Sequence, residues 1–199
     1  MGEKGVIKFN CHWIRSEPIS REALGDMKPW RDRLYRLGMI GAYENGIGFG
    51  NLSIREPGSD RFIITGSGTG RFNSLSEKHY TRVVDFDFKS NALTCRGPVK
   101  ASSESLTHAA VYVSDPTIQA VIHIHHMEMW KRLLDHMPTT SRDAEYGSPE
   151  MVDEVMGLFR DTDVREKKIL IMGGHEEGLV AFGRDLEEAG TALLRVFNE

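Results

Sequence analysis

The sequence predicts an α/β domain on a mixed sheet, and three observations carry that reading. Short apolar runs rich in Ile, Val and Phe, the mark of strands, recur along the chain. Between them lie stretches whose apolar residues repeat every three or four positions, the mark of amphipathic helices. The two kinds of segment interleave, which is the pattern of an α/β fold. With 199 residues, 40% of them hydrophobic, and no repeat, low-complexity tract or linker, the chain can bury one sizeable core.

In chain order, residues 1–27 have weak periodicity and read as an N-terminal arm wrapping this subunit or a neighbour; residues 28–199 are the domain. A helix starts near Lys28, with Pro29 at a tolerated first-turn position, and stops at Gly38. Trp30, Leu34 and Leu37 form its apolar stripe, and Arg31, Arg33 and Arg36 its wet face. Gly50–Ile54 reads as a strand, and so does Phe62–Ile64, which runs into Thr65-Gly66-Ser67-Gly68-Thr69-Gly70. Val83–Phe88 alternates like a half-buried strand, with Ala92–Cys95 as its hairpin partner across Ser90-Asn91.

A helix follows from about Ser103 to Ser114, stopped by Asp115-Pro116, and then the strand Ala120-Val121-Ile122-His123-Ile124-His125. Met129, Trp130, Leu133 and Leu134 mark the next helix. Ser148-Pro149 caps another, with Val152, Val155, Met156 and Phe159 on one face. Lys168–Met172 and Leu179–Phe182 are the last strands. Asp185 with Glu188 resembles a capping box opening a final helix that packs through Leu186, Ala189, Leu193 and Phe197.

Composition excludes several classes. A formal charge of −4 argues against nucleic acid as the main partner. No stretch approaches a membrane span, and no apolar signal region follows Met1-Gly2-Glu3-Lys4-Gly5. Two cysteines, Cys11 and Cys95, fit free thiols in a reducing cytoplasm.

The chemistry concentrates at strand ends. His123 and His125 project to the same side of their strand, about 6–7 Å apart, so both imidazoles can reach one ion. His175, in Gly173-Gly174-His175 after the second apolar run, adds a third. Three histidines from two strand ends describe an open, catalytic zinc-type site; the alternative is ordinary hydrogen-bonded histidines. His126 should point away by strand alternation unless the strand has already ended. Ser102-Ser103-Glu104 opens a helix, where unsatisfied N–H groups and two hydroxyls favour an anion, or simply form a Ser cap with a dipole-favoured glutamate. Glu104 and His108, four apart, could also pair on a metal, although His108 continues a buried stripe. The turn Thr65–Gly70 could cradle a phosphate or be a plain loop; it is neither a P-loop nor a dinucleotide fingerprint.

Taken in order, Gly50-Asn51-Leu52-Ser53, Thr65-Gly66-Ser67-Gly68, Ser102-Ser103-Glu104, His123-Ile124-His125 and His175 resemble the class II aldolase/adducin family, from about Trp30 to the final helix. The resemblance implies a three-layer α/β/α sandwich around a largely antiparallel sheet, commonly a homotetramer with active sites near subunit interfaces. It implies that Asn51, Ser67, Gly68, Ser102 and Ser103 bind a substrate phosphate, that Glu104 is the acid/base and caps the metal in the absence of substrate, and that His123, His125 and His175 hold one zinc ion. The implied reaction is cleavage of a phosphorylated ketose to dihydroxyacetone phosphate and an aldehyde through a metal-stabilised enediolate. Sugar-phosphate epimerases, dehydratases and decarboxylases share that core, and adducin-like heads keep the fold without the metal histidines.

Two departures from the family pattern stand out. The segment around Met137–Arg142 is short where the aldolases carry a tyrosine acid used by the neighbouring subunit, and Tyr146 is the nearest tyrosine, placed to pack beside the Ser148 cap. In Gly174-His175-Glu176-Glu177-Gly178 two glutamates stand where the family has His followed at once by Gly. They read as a solvated turn or as a new acid/base at Glu177.

Overall fold

A computed structural model describes residues 7–198 of the protein. It contains β1 (Asn10–Ile14), α1 (Arg21–Leu24), α2 (Met27–Arg36), β2 (Gly41–Ala42), β3 (Gly48–Phe49), β4 (Asn51–Arg55), β5 (Phe62–Thr65), β6 (Tyr80–Asp87), β7 (Ala92–Arg96) and α3 (Ser105–Ser114). These are followed by β8 (Ala120–His125), α4 (Met127–Leu133), α5 (Pro149–Asp161), α6 (Val164–Lys167), β9 (Ile169–Ile171), β10 (Gly178–Gly183) and α7 (Leu186–Asn198). Eight strands form one sheet in the order β1-β7-β6-β5-β4-β8-β10-β9, and β2 with β3 forms a separate small hairpin. Among the pairings within the large sheet, only β1 with β7 is parallel.

Period-two alternation sorts the strand side chains into two cores. Phe62, Ile64, Val121, Leu170, Val180 and Phe182 meet Leu106, Ala109 and Ala110 of α3 and Met151, Val155 and Phe159 of α5. Leu52, Ile63, Ile122, Ile124, Ile171 and Leu179 meet Trp30 and Leu34 of α2, Met129 of α4 and Leu193 of α7. The architecture is therefore the three-layer α/β/α sandwich around a mixed, largely antiparallel sheet. Because β4, β5, β8, β10 and β9 run antiparallel to their neighbours, the start of β4, the ends of β5, β8 and β9 and the start of β10 share one sheet edge. The site is built there. Among the described residues no helix is long and apolar enough to cross a membrane.

Several readings change. Within the stretch read as an arm, β1 is the edge strand of the main sheet, and its Cys11 Sγ lies 3.7 Å from Cys95 Sγ, both thiols free. An edge strand has one neighbour and buries little, so its sequence shows no apolar run. Arg31 is not on a wet face: it is 1% exposed and donates to the carbonyls of Thr69 and Gly70 at 3.2 and 3.0 Å. Helix α3 starts at Ser105, two residues later than read, because Ser102 turns the chain and its carbonyl accepts from Ser105 N and Oγ. The β2–β3 hairpin had no apolar run to mark it. Its one signal was Asn45-Gly46, a dipeptide favoured in tight turns.

His108 is not a ligand of the histidine cluster. It is fully buried, with Nδ1 2.7 Å from Ser53 Oγ, which also lies 2.7 Å from the Tyr112 hydroxyl. Burial pushes its imidazole from 6.5 down to about 3. The unfolded chain takes up that proton near pH 6.5 and the folded one resists it, so this contribution to stability is present above pH 6.5 and lost as pH falls toward 3. Between pH 6 and 4 the stability of His108→Gln should depend less steeply on pH than that of the native protein, by up to ~1.4 kcal/mol per unit. Parallel denaturation profiles would show that His108 takes up its proton equally well in the folded and unfolded chain, against the depressed value.

Gly190 of α7 is held against Trp30: a Cβ there would lie 2.2 Å from the indole. Gly190→Val gains a few tenths of a kcal/mol in helix propensity (~0.4) but overpacks α7 against α2 by about 1–3 kcal/mol. The thermal midpoint should fall by roughly 3–8 °C. An unchanged midpoint would mean that the two helices separate freely.

Candidate metal centre

Strand β8 is central, hydrogen-bonded to β4 on one side and β10 on the other, with Asn51 opposite His123 and Gly178 opposite His125. This pairing fixes both histidines on the α3 side of the sheet, the side of Val121. His123 Nδ1 lies 3.1 Å from the Leu179 carbonyl, which only accepts, so that nitrogen carries the proton and Nε2 presents a lone pair. His125 Nδ1 lies 2.8 Å from the Tyr43 hydroxyl, which itself donates to the Glu177 carboxylate. The Tyr43 oxygen is thus left to accept from His125 Nδ1, and His125 Nε2 is again a lone pair.

His175 comes from the turn after β9, held by His175 N to the Met172 carbonyl at 3.2 Å and Gly178 N to the His175 carbonyl at 2.8 Å. A Cβ at Gly174 would stand 2.0 Å from the Ala144 carbonyl oxygen, so only glycine lets this turn press against the 140–144 segment. His125 Nε2 ends 3.2 Å from His123 Nε2 and 2.9 Å from His175 Nε2, and the ligand atoms of all three lie within 4.8 Å of one another.

That donor set fits a divalent cation. Four-coordinate zinc with bonds of about 2.0–2.1 Å holds neighbouring nitrogens about 3.3 Å apart. Converging lone pairs repel unless a cation or proton stands between them, and burial with its histidine neighbours pushes His123 well below the ordinary imidazole value, toward the neutral form that binds metal. Glu104 adds a second test. It is 2% exposed; its Oε2 accepts from Thr107 Oγ1 at 2.8 Å, while Oε1 has no hydrogen-bond partner and lies 3.9 Å from His175 Nε2. A buried carboxylate oxygen facing a ligand nitrogen is explained by a cation between them. Burial raises the Glu104 carboxyl to about 7, with the Thr107 bond and the Lys8 charge pulling the other way.

A cavity of about 1140 Å³ opens above these groups. All nine residues singled out from sequence line it: the three histidines, Glu104, Asn51, Ser67, Gly68, Ser102 and Ser103. Asn51 Oδ1 is buried with no hydrogen-bond partner. His126 points elsewhere because β8 ends at His125; it caps α4, Nδ1 accepting from Met129 N at 3.3 Å.

Four further residues were missed or undervalued. The Phe49 ring stacks on His125 at 5.4 Å, and Tyr43 beside it makes the contact already described. Tyr146, rather than merely packing at the Ser148 cap, is 5% exposed with its ring 4.8 Å from that of His175. Glu177 is no solvated turn residue: its carboxylate meets Tyr43 and lies 3.5 Å from His125 Nδ1. Burial, then the Glu177 hydrogen bond, raises the Tyr43 phenol above its ordinary range, keeping it an O–H donor.

A family model described as Class II Aldolase and Adducin N-terminal domain matches residues 34–196. No curated protein matches the sequence. Among solved structures, L-fuculose-1-phosphate aldolase from Thermus thermophilus superposes with a TM-score of 0.63 at 19% identity, over 89% of this chain and 90% of that one. A sugar-phosphate aldolase from Thermotoga maritima gives 0.64 at 17%, over 88% and 90%. YgbL from Klebsiella pneumoniae, described as a candidate aldolase/epimerase/decarboxylase, gives 0.65 at 17%, over 88% and 85%. At these identities the likeness shows the fold. The sequence match spans most of the chain, which therefore belongs to the class II aldolase and adducin N-terminal domain family.

Proposed function

We propose that this chain is a metal-dependent lyase that cleaves a phosphorylated ketose to dihydroxyacetone phosphate and an aldehyde. The observation that supports it best is the convergence of three imidazole Nε2 atoms beside a buried, unpartnered Glu104 oxygen at the floor of a cavity. His123, His125 and His175 would hold a divalent ion, zinc by its liking for a compact imidazole set. When bound, that ion supplies Lewis acidity at the ketose carbonyl and stabilises the negative charge that develops there.

The chain's own groups supply the rest. The Ser67, Ser102 and Ser103 hydroxyls and the turn at Gly68 line the cavity and would seat the phosphate, fixing the reacting carbons relative to the histidines. Cleavage needs a proton removed from the hydroxyl that becomes the aldehyde and one returned to the carbon left behind. Glu104, a carboxyl raised by burial and facing the histidine cluster, is the group placed to take and return a proton there. Tyr146, whose ring lies beside His175 and lines the cavity, would be the second proton-transfer group, and in this reading it comes from the same chain as the histidines. An epimerase, dehydratase or decarboxylase would use the same triad and carboxyl, and YgbL carries that mixed description. Retention of the triad and Glu104 favours an enzyme over a non-catalytic, adducin-like module.

The test is a panel of ketose 1-phosphates, ribulose 5-phosphate and methylthioribulose 1-phosphate on zinc-loaded protein, with every product followed by NMR. Chelator-sensitive release of dihydroxyacetone phosphate, absent in a folded His125→Ala that has lost its zinc, is expected. A metal-dependent epimer or dehydration product instead would replace the aldolase assignment. Glu104→Gln should keep zinc and lower turnover by about 10²–10⁴-fold; native turnover in that variant would remove Glu104 from proton transfer.

A further inference from the structure

Glu177 has a backbone φ of +72°, one of four non-glycine residues in the left-handed region among those described. Glycine takes that conformation without strain, whereas a side chain with a Cβ does not. Its carboxylate nonetheless reaches across to Tyr43 on the β2–β3 hairpin, and through the Tyr43 hydroxyl to His125 Nδ1. The same hairpin lays Phe49 on the His125 ring. Two separate observations thus meet at one histidine: a strained residue where glycine would be cheaper, and a hydrogen-bonded chain from that residue to the ring nitrogen turned away from the other two histidines.

We propose that Glu177 and Tyr43 form a positioning dyad for the metal site: Glu177 holds the Tyr43 hydroxyl, which fixes His125 as the Nδ1–H tautomer with Nε2 aimed at the ion. Neither residue is a ligand or a catalytic residue. The negative carboxylate, passed on through the phenol, makes His125 a better donor, as outer hydrogen bonds to ligand histidines do. This rests on the metal reading above. The backbone part of the turn is independent of the dyad, because His126 N donates to the Glu177 carbonyl at 2.9 Å whatever side chain stands there.

That independence separates positioning from simple structural support. Zinc affinity would be measured by competition with a chromophoric chelator, alongside the visible spectrum of the cobalt-loaded protein and the thermal midpoint of the metal-free protein. Glu177→Gly should weaken zinc binding by about 10–100-fold and alter the cobalt spectrum. The metal-free midpoint should stay the same or rise, since strain is relieved. Tyr43→Phe should weaken zinc to the same degree, and the double variant no further, because both break one chain of contacts. Glu177→Gln, which can still accept from Tyr43, should recover part of the affinity.

Native protein that binds no zinc would overturn the metal reading and this inference with it. Native protein that binds zinc while Glu177→Gly binds it equally well would overturn the inference alone. A variant that loses zinc and metal-free stability together, or additive losses in the double variant, would make Glu177 and Tyr43 separate structural supports and refute the dyad.

Discussion

Three buried imidazole nitrogens converging at the floor of a cavity are the constraint on which the rest of this structure depends. Imidazole nitrogens at 2.9 and 3.2 Å gain nothing from one another unless something positive stands between them. Holding them there requires rigid supports, and the sheet supplies them. His123 and His125 lie on a strand paired on both sides, where a one-residue slip would turn both rings toward the α2 and α7 layer. That slip would also bury Ile122 and Ile124 against polar groups, so core packing and site geometry enforce the same register. His175 is not on a strand, and its turn is fixed by a glycine that admits a neighbouring carbonyl where any side chain would collide.

The same constraint organises the charges. Glu104, the acidic group facing His175, is as deeply buried as the rings, and burial raises its carboxyl to about 7. It sits just ahead of α3, so its position is set by the tight turn at Ser102 rather than by a flexible loop. Unsatisfied buried atoms at Glu104 and Asn51 cost stability that the two cores must offset. Their neighbour on the same sheet face, Ser53, shows a partial contrast: its hydroxyl bridges His108 Nδ1 and the Tyr112 hydroxyl, while His108 Nε2 is left buried without a partner. Of these two polar clusters on one face, only that of Glu104 and Asn51 lines the cavity.

Legibility followed from where each signal lies. Period-two alternation in Ala120–His125 gave both the strand and the shared face of its two histidines, and short apolar runs marked β5, β9 and β10 because these are buried on both faces. Edge strand β1 and the two-residue strands β2 and β3 bury too little for any pattern to emerge. Arg31 read as exposed because charge is usually solvated; here two backbone carbonyls of the glycine-rich turn replace the water. The three histidines and Glu104 were legible as residue types at set spacings. Tyr43 was not, since it enters the site through tertiary packing from a hairpin; Tyr146 and Glu177 were noticed, but their contacts with His175, Tyr43 and His125 come from tertiary packing that no spacing along the chain announces.

This division between strands and hairpin has a consequence for how such a site can vary. The ligand wall is tied to register, so changing it means rebuilding the sheet. The opposite wall, from Tyr43 to Phe49, is a hairpin of two-residue strands, which has little stability of its own. It gains order by docking: Tyr43 against Glu177 and His125, Phe49 on the His125 ring. Residues between those two anchors, Ile47 among them, line the cavity without bearing on the ligand geometry. Exchanging hairpin residues would therefore reshape one wall of the cavity while leaving the strand wall as it is. The fixed nitrogens and the buried carboxyl thus belong to the sheet and the turn before α3, whereas the hairpin contributes shape, and the residues between its anchors can change without moving either.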